Sequence, residues 1–224
     1  MSNTFKLTRV EVILLLTAFA AGTVDVISFA NLGGVFASAM TGNFALLALY
    51  VAQGDSQSAM GSVIALSGFV VGCALGALQR RGRPQEQAIS LLLSSETALL
   101  LFFAIYALWA AHVSHGRTND LQIALLAVAM GMQAVIGQAI SLTTIVFTTT
   151  LTKLVGTIAG SIADADSSAL TDVKIQSAVI FSYLFGALLS GALIVRKAGA
   201  VALLPVIGVA FALTVHLRAR RKAA

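Results

Sequence analysis

Apolar residues fall in eight long runs, at 10–29, 35–52, 59–78, 88–111, 121–141, 145–162, 177–195 and 198–217. The runs are apolar all round, without the in–out alternation of a barrel strand. A stretch of roughly 20 such residues spans the hydrocarbon core of a bilayer. Backbone amides in lipid must be satisfied within the protein, so the pattern predicts helices. The expected fold class is an all-α integral membrane protein, a single helical bundle over residues 1–224 with no separate soluble domain.

Composition agrees. Hydrophobic residues make up 58% and charged residues 10% of the chain, and the mean hydropathy is +0.93. A soluble domain carries about 25% charged residues. The net charge of +5 does not indicate nucleic acid, because the basic residues cluster at the ends of apolar runs, where they meet anionic headgroups. The single cysteine, Cys73, excludes an internal disulfide and a cysteine-based metal site. Lys6 and Arg9 precede a long apolar run with no Ala-x-Ala cleavage pattern, so the first segment is expected to be retained.

The distribution of charge constrains the topology. Eight full crossings with the N-terminus inside would place Arg80, Arg81, Arg83, Arg196 and Lys197 outside, against the positive-inside rule. Counting each of 10–52 and 121–162 as one net crossing with a broken or re-entrant part leaves only Arg117, Arg196 and Lys197 outside. This gives about six net crossings with two broken helical segments.

The two halves of the chain resemble each other. "VFASAMT" (35–41) aligns with "VFTTTLT" (146–152), and "AFAAG" (18–22) with "AVAMG" (127–131). Gly68, Gly72 and Gly76 align with Ser182, Gly186 and Ser190. The matches keep the same order at a separation of about 110 residues, which suggests an internal duplication with repeats at about 10–111 and 121–217. Three crossings per repeat would invert one repeat relative to the other, as in many secondary transporters. The two stripes step by four, so each lines one helix face and suits close packing, within the chain or in a homodimer.

Between the first two runs lies "NLGGVFASAMTGN" (31–43), which is uncharged and rich in small and hydrogen-bonding residues. Two successive glycines cost about 2 kcal/mol of helix propensity, so the helix is expected to break here and to restart near Val35. Freed backbone groups at membrane depth need protein or water beside them. The restarting helix N-terminus would favour an anion. The second half offers "SLTTIVFTTTLTK" (141–153) at the equivalent place.

Deep charges mark further candidates, because a charge at the bilayer centre costs about 2.5–3.5 kcal/mol on insertion scales. Glu11 lies near a segment start and can reach the headgroups. Asp25 shares a face with Thr17, Ala21 and Ser28, and Lys153 shares one with Thr149, Gly156 and Gly160. Asp25 and Lys153 are expected to meet between the repeats, as a structural pair or as part of a solute site. The candidate site set is Asp25, Ser28, Asn31, Ser38, Thr41, Asn43, Thr149 and Lys153. Glu96 in "SSET" has Ser94 and Ser95 as nearby hydrogen-bond partners. Gln133 and Gln138 are expected to join helices.

The stretch "AFAAGTVDVISFANLGGVFASAMTGN" (18–43) resembles the signature of the YoaK-like family of small bacterial membrane proteins, which carry a domain of unknown function. The matching residues are Ala21, Gly22 and Asp25, then Leu32, Gly33, Gly34, Val35 and Phe36, then Met40, Thr41, Gly42 and Asn43. Beyond residue 88 the likeness is one of character alone. The resemblance implies a multi-pass protein of the bacterial inner membrane with about six helices, and no established activity.

A small secondary transporter or permease is the expected function, with a small solute, an anion among the candidates, bound near the midplane. The alternative is a non-transporting assembly or regulatory subunit. Enzyme chemistry is not expected. His112 and His115, with Asp120 nearby, make a weak metal signal, and no H-E-x-x-H, G-x-S-x-G or P-loop sequence occurs. No cofactor, metal or nucleic-acid partner is expected; the bilayer is.

Overall fold

In the computed structural model, residues 7–113, 118–140, 147–164 and 169–223 are described, with side chains at 7–110, 119–140, 150–160 and 173–222. Among the described residues the chain is helical, without strands. The order is α1 (Arg9–Asn31), α2 (Met40–Gln53), α3 (Ser56–Arg80), α4 (Gln85–Val113), α5 (Thr118–Ala139), α6 (Phe147–Asp164), α7 (Ala169–Val195), a 3-10 turn (Gly199–Leu203) and α8 (Leu204–Ala223).

Six of these helices, α1, α3, α4, α5, α7 and α8, are long and apolar enough to cross a bilayer. The 14-residue α2 is about 21 Å long at 1.5 Å per residue, too short for a core of about 30 Å. The run 35–52 is therefore not one helix. Its helical part begins at Met40 rather than near Val35, because Gly33 and Gly34 take positive φ angles of 98° and 74°.

The helix partners form a repeating pattern. α1 packs along α7 as α5 packs along α3; α1 touches α8 as α5 touches α4; α2 lies on α3 as α6 lies on α7; α4 and α8 face each other. Exchanging α1–α4 with α5–α8 carries each of these pairings into another of them, whereas α3 also touches α4 without an α7–α8 contact of the same extent.

The close crossings repeat at the level of single residues. Gly22 lies against the carbonyl of Tyr183, and Gly131 against that of Phe69. Gly72 lies against the carbonyl of Val128, and Gly186 against that of Phe19. A methyl group at any of the four would overlap the facing oxygen. In lipid such approaches replace lipid contacts with dispersion between backbones. Further along the same faces, Ser182 Oγ donates to Leu15 O at 2.6 Å, and an added methyl on Gly68 would lie 3.2 Å from Ala124 O. Gly76 packs against Val135 and Leu92, and Ser190 is buried.

One end of the bundle is basic. Arg9 at the start of α1 forms a two-pronged bridge to Glu86 of α4 at 2.6 and 2.8 Å. His216 of α8 bonds Glu86 O at 3.1 Å and Ser90 Oγ at 2.9 Å. These contacts bring the α1 start, the α3–α4 connection with Arg80, Arg81 and Arg83, and the basic end of α8 to the same side. Glu11 serves there as the reciprocal partner of the Thr8 helix cap. The outward faces are apolar, with Phe181, Phe185 and Leu188 (71% exposed) on α7, as a lipid-facing surface requires.

Candidate functional site

Past Asn31 the chain leaves helical geometry and turns back along α1. Gly34 N–H donates to Phe29 O at 3.1 Å, closing the helix end. Residues 35–39 then run beside the last turns of α1, where two side chains take over their main-chain groups. Asn43 accepts from Phe36 N–H at 2.9 Å and donates to Phe36 O at 2.6 Å. Asp25 Oδ1 accepts from Ser38 N–H at 2.9 Å. Irregular backbone within the bundle thereby has the main-chain groups of Phe36 and the Ser38 N–H paired by side chains, as membrane depth requires.

Asp25 holds more than that segment. Its Oδ2 accepts from Ser38 Oγ at 2.6 Å and from Tyr183 Oη of α7 at 2.8 Å. The carboxylate is 2% exposed and receives three donors from two other parts of the chain. Charge-assisted bonds of this kind are about twice as strong as neutral ones. Asp25 thus links α1, the interrupted segment and α7 in one cluster.

Other candidates fall in several places. Ser28 is buried and donates to the Asp25 main-chain oxygen at 3.1 Å. Thr41 is exposed on α2. The side chain of Thr149 lies outside the described residues. The expected Asp25–Lys153 contact is not formed: Asp25 meets Ser38 and Tyr183, and Lys153 is exposed on α6. The physical reason is the packing of α6, which lies on α7 rather than on α1. Tyr183 was not singled out from the sequence. Its signal was a lone phenol in the apolar run "IFSYLFG" (180–186), since a buried tyrosine hydroxyl needs a partner.

Two recesses open at the end of the bundle opposite the basic one. The first, of about 330 Å³, is lined by Asn31 and Leu32 together with α4, α5 and the α7–α8 connection. The second, of about 320 Å³, is lined by Leu32 and Gly33 with Asp55, Ser58 and Asp120. Leu32 lines both. Asp25 lines neither; it sits below them and anchors the segment that forms their shared wall.

A second buried carboxyl differs from Asp25. Glu96 on α4 is 0% exposed, and neither carboxyl oxygen has a partner. The expected bonds to Ser94 and Ser95 are absent, because Ser94 donates to Ser90 O and Ser95 pairs with Gln79. Gln133 joins α5 to Thr17 O of α1 at 3.1 Å, leaving its own carbonyl oxygen unpaired. Gln138 is exposed. The side chains of His112 and His115 lie outside the described residues. Among the described residues, no three His, Cys, Asp or Glu side chains form a metal-binding group.

A family model described as a protein of unknown function, DUF1275, matches residues 13–216. A similar protein, the UPF0700 transmembrane protein YoaK of Bacillus subtilis (strain 168), is 29% identical over 186 residues, which cover 79% of this chain and 80% of that protein. No solved structure matches the chain.

Proposed function

This chain belongs to the DUF1275 family of multi-pass membrane proteins of unknown function, and from that premise we propose that it is a small secondary permease of the bacterial inner membrane. Six spanning helices and the basic end formed by α1, α4 and α8 support an orientation with that end in the cytoplasm. The recesses then face outward. The self-mapping helix pattern and the four paired glycines support an inverted duplication, an architecture many carriers use. The doubled-back path from Asn31 through Ser38 to α2 supports a re-entrant segment in the first repeat.

The observation that carries this reading is the interrupted segment 32–39. Its inner part is pinned by Asp25 and Asn43, and its outer part walls both recesses. A solute entering a recess presses on Leu32 or Gly33, and the segment transmits that displacement to Asp25 and so to α7. Asp25 acts here as a latch whose donors exchange as the segment moves, rather than as a ligand in the resting state.

Flux of labelled small solutes into proteoliposomes tests this. Uptake above empty vesicles is expected, with a reduction of tenfold or more in Asp25→Asn protein that remains folded. If a broad panel of solutes gives no flux, a second reading gains: an assembly subunit. Its specific support is α6, where Gly156 and Gly160 have nothing within 4 Å and offer a close surface to a partner helix.

A further inference from the structure

Lys197 occupies a position that two general rules oppose. The first is conformational. α7 ends with Lys197 N–H bonded to Ile194 O at 2.8 Å and Ala198 N–H bonded to Leu193 O at 3.0 Å. This is the Schellman closure, whose left-handed residue is usually glycine. α1 and α2 end with the same long-range bond, Gly34 to Phe29 and Asp55 to Tyr50, and place Gly33 and Gly54 in the left-handed conformation. α7 places Lys197 there at φ 53°, as the one non-glycine with positive φ among the described residues. A side chain retained in a strained conformation is a reason to look for a role.

The second rule is electrostatic. Lys197 lies at the end opposite Arg9, Glu86 and the C-terminal basic residues, where the positive-inside rule disfavours it. Among the described residues it has no ion-pair partner.

Both oddities coincide with the recess of about 330 Å³, because Lys197 lines it. Asn31 and Gln122 also line it; Gln122 is 7% exposed, whereas Lys197 and Asn31 are exposed at its mouth. The remaining lining is apolar and includes Ile27, Phe103 and Ile194. Apolar walls with a few convergent polar groups are the usual make-up of a small-molecule site, and this volume is near the lower end of the range. The neighbouring recess carries Asp55 and Asp120, which repel an anion and leave Lys197 as the place for its head.

We infer that this recess binds a small organic monoanion, with its carboxylate at Lys197 and Gln122 and its apolar body, no larger than one ring or a short chain, against Ile27 and Phe103. The inference deepens the permease reading and rests on it for the purpose of binding, but not for its test.

The test is equilibrium binding of labelled benzoate to the intact protein in nanodiscs, with benzamide as the neutral competitor. Saturable benzoate binding is expected, displaced by hexanoate and not by benzamide. Affinity should fall at least tenfold in Lys197→Gln and Gln122→Leu and stay within threefold in Lys197→Arg. Lys197→Gly relieves the strained φ, so it should unfold at the same temperature or higher while losing binding, which separates charge from fold. Undiminished benzoate binding in Lys197→Gly, or no saturable binding of either acid to the unmodified protein, overturns the inference. Binding without flux would refute the permease reading and leave the site standing. Flux of other solutes without binding of either acid would do the reverse.

Discussion

Tyr183 of α7 donates a 2.8 Å hydrogen bond to Oδ2 of Asp25 on α1, across 158 residues of sequence. The bond joins the two helices only a few residues from the Gly22–Tyr183 crossing. Interhelical bonds in membranes average about 0.6 kcal/mol and reach about 1.7, whereas bonds to charged groups contribute about 1.5–3 kcal/mol. Tyr183→Phe should therefore destabilise by about 1–2 kcal/mol in denaturation from mixed micelles. In a double-mutant cycle with Asp25→Asn, a coupling below a few tenths of a kcal/mol would show that the two groups do not act together.

Asn43→Ala leaves both main-chain groups of Phe36 without partners, at roughly 1–3 kcal/mol each. Asn43→Asp keeps the acceptor for Phe36 N–H but sets a carboxylate against Phe36 O. Both variants should unfold at lower temperature and open the segment to proteolysis near 32–39. Asn43→Ala with wild-type melting and protease resistance would contradict the pairing.

Glycines at the crossings and glycines on the outside should separate cleanly. Gly22→Ala, Gly72→Ala, Gly131→Ala and Gly186→Ala each place a methyl on a backbone oxygen and force helices apart, a loss of about 1–3 kcal/mol or more. Gly156→Ala, Gly160→Ala and Gly191→Ala meet nothing within 4 Å and should be neutral or slightly stabilising through helix propensity. Melting temperatures of the seven proteins check this, and equal losses in both sets would count against the packing described.

Glu96 gains no bond for its burial. Glu96→Leu removes two unpaired polar atoms, and an unpaired buried polar group costs about 1–3 kcal/mol. The variant should be more stable. A clear loss of stability would mean that Glu96 has a partner in the membrane.

Single cysteines in a Cys73→Ser background report sidedness. Cysteines at 55 and 197 should label from one side of intact cells, and cysteines at 83 and 220 only after permeabilisation. Residues 55 and 83 bracket α3, a full-length crossing, so labelling of both from the same side would rule out six crossings.

Much of the architecture was legible because lipid leaves few options. Long apolar runs meant helices, and the glycine pair at 33–34 meant a break. The aligned pairs 22 with 131 and 72 with 186 lie at matched crossings, since only glycine admits a backbone oxygen that closely. The site was less legible. Asp25 stood out as a deep charge, but its partner did not. A lysine was expected from charge complementarity, yet a backbone amide, a serine and a phenol supply the bonds, and neutral donors carry little signal in a chain full of hydroxyls. Asn43 was read as a solute contact and is occupied by the main chain of Phe36. The role of Lys197 depended on a φ angle, which composition does not reveal.

The two glycine crossings have the same shape but different fastenings. Between α1 and α7, Ser182 grips Leu15 O and Tyr183 grips Asp25. Between α3 and α5, the matching positions hold Gly68 and Phe69, and the crossing retains a thiol contact from Cys73 to Gly131 O at 3.4 Å. A shear applied across the bundle therefore breaks side-chain hydrogen bonds on the first seam, while the second relies on interlocked glycine backbones and one thiol contact.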